Sequence, residues 1–298
     1  MKRLLAISSL VLFLASCKEE PPYINFTPSA SIQDTTYIET SVPQTELKNV
    51  LLEEFSGVRC INCPTAQQTA KSISETYPGR VNIVTIHPLN KFNSLTLPFD
   101  VNIGDEHTSK YDFRTDPGAK ILDFVGYGTT GSLPIGNIDR KLFSGESARN
   151  IEHQKWPAYV AQALNETTPV NIDVNSKVSG DSIEVTVKLI YTTAASDSQL
   201  VTVSILESEM EDYQEGKDQN GTGVIYENYV HKHVLRAVLT GYFGDYLNAS
   251  YIPGRVFLKK YRIKRDPKWV ATNLDALVIV HNNTSKKDVI HSKEVKVK

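Results

Sequence analysis

The sequence predicts an α/β domain followed by an all-β domain, behind an exported N-terminus. Three observations carry this. The chain opens with a basic and then apolar stretch that ends in cysteine. From residue 47 to about 168, strand and helix patterns alternate. From residue 169 onward, period-two alternation dominates. At 298 residues a single compact core is not expected, and two domains are the natural division. The net charge of -2 gives no reason to expect nucleic acid as a partner.

Lys2 and Arg3 precede an almost unbroken apolar run from Leu4 to Leu14, and Leu14-Ala15-Ser16-Cys17 closes it. That order is a secretory signal, with an apolar stretch too short to span a bilayer comfortably. The ending resembles a bacterial lipobox, which implies cleavage before Cys17 and acylation of that cysteine. A multiply acylated (palmitate-type) end anchors stably, because each buried methylene contributes roughly 0.8 kcal/mol. Residues 18–46, rich in Pro, Thr, Ser and Glu, read as a flexible tether. Lys18-Glu19-Glu20 resembles the signals that send Bacteroidetes lipoproteins to the cell surface. Asp34-Thr35-Thr36 resembles their acceptor motif for O-linked sugars. No later segment is apolar for long enough to cross a bilayer, so the folded body is expected outside the cytoplasm.

Residues 47–168 form the α/β part. Val50-Leu51-Leu52-Glu53-Glu54-Phe55, closed by Ser56-Gly57, suits a buried parallel strand. Ala66, Ala70, Ile73 and Tyr77 recur at helical spacing, with Pro64 near the first turn and Pro78-Gly79 as the stop. Val81 to Ile86 is the next strand. A polar region from His87 to about Gly131 is expected to hold a helix near His107 to Phe113. Leu133 to Ile138 is a strand opened by proline, and Trp156-Pro157 starts a last helix through Leu164.

Residues 169–298 form the β part. Val170/Ile172/Val174 alternate, as do Ile183/Val185/Val187/Leu189/Tyr191, and Leu200 to Leu206 is rich in strand formers. Further strand signals lie near Tyr229–Leu239, Arg255–Ile263, Ala276–His281 and Val289–Val297. About seven strands with turns between them predict an Ig-like β-sandwich. The acidic, glycine-punctuated stretch Glu209–Thr222 reads as an exposed loop.

Of three cysteines, lipidation would consume Cys17 and leave Cys60 and Cys63. Their closed loop is minimal, so a disulfide there adds little stability, and a chemical role is the better reading. The pair sits between a strand and a helix. Backbone N–H groups at a helix start stabilise a thiolate at Cys60, and Arg59 adds positive charge beside it. Cys63 can resolve a mixed disulfide. Strand, CxxC and amphipathic helix together predict a thioredoxin-like fold.

The resemblance to thioredoxins goes further in Glu54-Phe55-Ser56-Gly57-Val58-Arg59-Cys60, where an acidic residue stands six before the first cysteine. It implies that Glu54 is a partly buried carboxylate taking a proton from Cys63, and that Pro134 is a cis-proline shaping the substrate groove. Arg59 and Ile61-Asn62 depart from the thioredoxin pattern, which leaves substrate and redox direction open. The lipobox, the tether, the segment Leu52 to Pro64 and Asn228-Tyr229-Val230-His231-Lys232-His233-Val234-Leu235-Arg236 together resemble the outer-membrane-protein-twenty-eight family of Bacteroidetes lipoproteins. That resemblance implies outer-membrane location and the two-domain order.

The expected function is an envelope thiol–disulfide oxidoreductase with Cys60, Cys63, Glu54 and Pro134 as its machinery, no cofactor and no metal, and protein thiols or disulfides as partners. The alternative is a non-catalytic surface binding or assembly lipoprotein whose Cys60–Cys63 disulfide is structural. Glu53 could point inward in place of Glu54, and Pro134 could be an ordinary trans proline. His231 and His233 would share a strand face, and without a third ligand a surface or packing role is the better reading.

Overall fold

The computed structural model describes residues 34–283 and 285–298. The signal segment, Cys17 and Lys18-Glu19-Glu20 lie outside the described residues. Strand outweighs helix, 41% to 17%, so the molecule is mostly β with few helices, arranged in several sheets.

The first strand, β1 (Thr35–Ile38), falls inside the stretch expected to be tether. It pairs antiparallel with β13 (Arg255–Lys264). The chain then continues along the β body, where Thr45 bonds Thr192 at 2.8 Å and the backbones of Gln44 and Glu46 both bond the Asn171 amide. The tether reading is therefore corrected from residue 35 onward. A four-residue strand is too short to show a period, although its Thr-Thr-Tyr-Ile composition suits one.

At the centre lie β2 (Val50–Phe55), β3 (Val81–Pro88) and β5 (Ile135–Ile138). β2 runs parallel to β3 and antiparallel to β5, and all three strands are buried along their whole length. Val50 and Leu52 face α1 (Cys63–Thr76) and α4 (Trp156–Ala163), in a core with Ala66, Ala70, Ile73, Trp156 and Val160. Alternation puts Glu54 on that face and Glu53 on the other, with Leu51 and Phe55. Gly136 on β5 is required by packing. An added Cβ would fall 2.5 Å from the Trp156 ring and 2.6 Å from the Glu53 carbonyl oxygen.

Between β3 and β5 run the short helix α2 (Asn93–Thr96), β4 (Arg114–Thr115) and α3 (Asp116–Val125). The helix expected near His107–Phe113 is absent, and α3 begins after that stretch. Thr115 caps it, its hydroxyl accepting from the Gly118 N–H at 3.1 Å, and Pro117 sits in its first turn. Ile121, Leu122 and Val125 of α3 pack on the Leu51/Phe55 face of β2.

The remaining strands are β6 (Val170–Ser179), β7 (Ser182–Tyr191), β8 (Gln199–Glu207), β9 (Met210–Lys217), β10 (Gly223–His231), β11 (Val234–Val238), β12 (Asp245–Tyr246), β14 (Leu274–Asn282) and β15 (Val289–Lys296). A four-stranded sheet has the order β1-β13-β7-β6, and β9 and β10 form a sheet of their own. The largest sheet runs β15-β14-β8-β11-β3-β2-β5, so it crosses the boundary expected at residue 168. β11 joins β3 through the Val234/Thr85 pairing, with the Thr85 N–H donating to the His233 carbonyl at 2.8 Å. The path also curves back on itself, because the Val289 N–H donates to the Asp139 carbonyl at 2.8 Å, just past β5. A large apolar core fills the space between the two main sheets, with Val185, Val187 and Leu189 facing Val201, Val203 and Val278. Fully burying each such side chain contributes roughly 1.5–3 kcal/mol.

Candidate functional site

The loop from β2 into α1 carries Ser56-Gly57-Val58-Arg59 and then the cysteines. It turns tightly, the Cys60 N–H donating to the Gly57 carbonyl and the Cys63 N–H to the Cys60 carbonyl, each at 3.0 Å. Gly57 must be glycine, because a Cβ there would fall 2.3 Å from the Leu95 carbonyl oxygen. Cys63 is the first residue of α1, with Pro64 in the first turn. Cys60 and Cys63 are joined in a disulfide, with Cα atoms 5.3 Å apart. Both are buried, 2% and 0% exposed, in an apolar cluster with Leu51, Phe55, Leu133 and Ile135.

The Leu133–Pro134 peptide is cis. Pro134 is half-buried and opens β5, between two members of the cysteine cluster.

Glu53 and Glu54 are each 1% exposed, so neither points to solvent. Both faces of this central strand are covered, which is why the choice between them does not arise. Glu53 receives both arms of Arg140, at 2.6 and 2.9 Å. Among the described residues Glu54 has no such partner, and its Oε1 makes no hydrogen bond. Burial alone pushes its carboxyl up to about 8, the neutral form being the cheaper one to bury. It reaches a cavity of about 300 Å³ between α1 and β10, lined also by Gln67, Ala70, Thr85, Tyr229 and His233.

Arg59 does not stand free beside the thiols. Its guanidinium forks onto Asp105, donates to the Leu97 and Pro98 carbonyls at 2.9 Å, and stacks on Phe99 with its carbon 4.5 Å from the ring centre. The salt bridge holds the Asp105 carboxyl down at about 2. Arg59 fixes the 95–105 loop against the cysteine turn, and its charge is matched there.

His231 and His233 do not share a strand face. His233 has a positive φ of 52° and sits in the break between β10 and β11, half-buried and 3.5 Å from Glu294. His231 is buried against Phe113 and faces His87, ring centres 6.3 Å apart. Burial holds both of these imidazoles well below the usual histidine range, at about 4 and about 3, so they are neutral apolar packing. Among the described residues no cluster of three or more His, Cys, Asp or Glu could hold a metal.

What sequence reasoning missed is the cover over the disulfide. The stretch expected to be an exposed loop, Glu209–Thr222, is mostly β9, and it lies across the cysteine turn. The Glu215 N–H donates to the Val58 carbonyl at 2.7 Å. The Gln214 side-chain amide donates to the carbonyls of Gly57 at 3.1 Å and Cys60 at 3.3 Å. Gly223 at the start of β10 lies against Ile61, and the Tyr229 hydroxyl donates to Gln67 on α1. The available signal was alternation, since Met210, Asp212, Gln214 and Gly216 are the buried residues of β9. Its polar members hide that pattern from a hydrophobicity reading.

A family model for outer membrane protein Omp28 matches residues 125–298, more than half of the chain. The chain belongs to the Omp28 family of outer membrane proteins. The matched part includes every strand from β5 to β15, the hairpin β9–β10 among them, while the cysteine pair lies before it. Among solved structures, HBP35 of Porphyromonas gingivalis is similar at a TM-score of 0.63 and 19% identity, covering 86% of this chain and 77% of that one. That likeness speaks for the fold alone. A protein of Agrobacterium tumefaciens matches at a TM-score of 0.48 and 12% identity, over 86% of this chain and 97% of its own, and supports no argument. No protein of curated function matches the sequence.

Proposed function

We propose that this Omp28-family protein is an envelope thiol–disulfide oxidoreductase with a thioredoxin-like first half, anchored to the outer membrane through acylated Cys17. The observation that carries the reading is Glu54, a fully buried carboxyl with no partner on the strand that leads into the cysteine turn. Burying an unpaired carboxyl is costly and serves no packing purpose, whereas proton transfer needs one whose affinity lies near neutral. Below pH 8 it holds a proton.

In the oxidised state described here, a client thiolate attacks Cys60 Sγ and breaks the Cys60–Cys63 bond. Cys63 leaves as a thiolate and takes the proton of Glu54. A second client thiolate then attacks the client sulfur of the mixed disulfide and releases Cys60. The client loses two electrons, the cysteine pair gains them, and a separate disulfide or other thiol oxidant restores the pair. In the reverse direction Glu54 accepts the Cys63 proton. Pro134 borders the groove that receives the client.

A second reading rests on the burial of both sulfurs, which favours an inert disulfide in a surface binding or assembly lipoprotein. The reduction potential separates the two. We expect the chain lacking residues 1–17, in which only Cys60 and Cys63 carry thiols, to equilibrate with glutathione within the range of known exchange proteins, roughly -120 to -270 mV. Cys60→Ser should abolish exchange with small disulfides. A potential below about -300 mV would make the disulfide structural.

A further inference from the structure

The β9–β10 hairpin occupies the surface that a client would need. Gln214 and Glu215 present N–H donors to three main-chain carbonyls of the cysteine turn, those of Gly57, Val58 and Cys60. Among the described residues the Val58 carbonyl takes its donor from Glu215, while the Gly57 and Cys60 carbonyls, already bonded by the Cys60 and Cys63 N–H groups, take a second donor from Gln214, so β9 completes the bonding of this turn from within the molecule. The hairpin is built unevenly. Its base is fixed, with Met210 and His231 buried and Met210 in a cluster with Val58, Phe99, Phe113 and Val234. Its outer part is not. β10 bonds only β9 as a strand among the described residues, and Ile225, Tyr226 and Val230 on it are exposed. Beyond the base, the hairpin is held by the Glu215 and Gln214 bonds, the Tyr111–Asp212 and Tyr229–Gln67 bonds, the stacking of Tyr213 on His107 and the Gly223–Ile61 contact. Each neutral hydrogen bond contributes only modestly in net terms, so opening about the base costs far less than unfolding the sheet beneath.

We propose that the hairpin is a lid that stands in for the client: β9 lies where an extended polypeptide segment bearing the reacting cysteine binds, and it must swing away before Cys60 can be attacked. This rests on the thiol–disulfide reading for the identity of the client, while the closure itself is a property of the hairpin. The client is then an extended or incompletely folded protein segment, because it must offer a free backbone N–H to the Val58 carbonyl in place of Glu215 and further N–H donors to the Gly57 and Cys60 carbonyls in place of the Gln214 side-chain amide. The lid also explains how a disulfide that is closed to solvent can belong to an exchange site.

The test uses the full-length chain in detergent and reads Cys60 and Cys63 by alkylation and mass spectrometry after timed exposure to a small phosphine reductant. Combining Gln214→Ala with Tyr229→Phe should speed reduction of the disulfide by about tenfold or more, as expected for the loss of three hydrogen bonds from the closed state. Hydrogen exchange gives a second readout on the unmodified chain. The Glu215 amide should exchange at least tenfold faster than the amides of β2. An unchanged reduction rate in the double variant would overturn the lid, as would a Glu215 amide that exchanges only with the β2 amides. Faster reduction without any exchange with client disulfides would uphold the lid and remove the oxidoreductase reading. Ready exchange by the unaltered chain at the rate of the double variant would do the reverse.

Discussion

The two faces of β2 carry adjacent carboxyl groups in opposite circumstances. On the α3 face, Glu53 is locked to Arg140, itself 1% exposed, in a two-armed ion pair. On the α1 face, Glu54 is equally buried and meets no cation among the described residues. Equal burial thus has two physical outcomes. Where a guanidinium is at hand the charge is kept and paired, and where none is the carboxyl holds its proton. The first arrangement fixes structure, and the second leaves a group able to exchange a proton.

The largest effect is expected at Arg140. Arg140→Met should destabilise the fold by about 3–5 kcal/mol in denaturant unfolding, because it leaves Glu53 buried without its partner. Adding Glu53→Leu should return most of that loss, since a buried pair replaced by apolar groups is often neutral. A single Arg140 variant as stable as the parent chain would show that Glu53 reaches water and that the two faces are alike.

Glu54 should behave in the opposite sense. Its folded-state pKa, about 8, lies above the ordinary 4.5 of a free glutamate. Between those values the folded state binds the proton more tightly than the unfolded state does. Stability is therefore lost as pH rises from 4.5 to 8, by up to roughly 1.4 kcal/mol per pH unit. Glu54→Gln removes that loss. The variant should gain on the parent chain progressively across this window in thermal or denaturant unfolding, and the gain should level off above pH 8. A gain that stays flat with pH would mean that Glu54 is ionised in the folded state and has a partner.

Much of the α1 side was legible in the residues. Val50 to Phe55 reads as a buried strand because it is continuously apolar apart from its two glutamates, and α1 reads from Ala66, Ala70 and Ile73. The cysteine pair falls at the junction because Gly57 and Pro64 punctuate it. The partners of these elements were not legible. Periodicity reports which face of a segment is buried and is silent on what buries it. Nothing local in Arg140, 87 residues from Glu53, announces an ion pair. Likewise β11 gives no sign that it will bond β3 and carry one sheet across the expected domain boundary. The hairpin was hidden for a related reason, since Asp212 and Gln214 are both 0% exposed and buried by hydrogen bonding instead of by hydrophobicity. A single signal did stand in view, the strand-forming run Val224-Ile225-Tyr226 beside glycine, which is an unusual composition for a solvent loop.

The smallest expected effect separates whole-molecule stability from local closure. Thr115 caps α3, which packs on the Glu53 face, and its hydroxyl accepts from the Gly118 N–H. Thr115→Ala should cost about 1 kcal/mol of unfolding free energy, as N-cap losses do. That is comparable to removing one of the lid's hydrogen bonds. Yet the capping loss acts on the whole fold, while access to the sulfurs is set by the opening of the hairpin about its base. The rate at which the phosphine reduces Cys60–Cys63 should then be unchanged in Thr115→Ala, measured well below its unfolding midpoint. If reduction accelerates in step with the stability loss, the sulfurs are reached only through global unfolding, and the distinction between the two faces of β2 has no consequence for access.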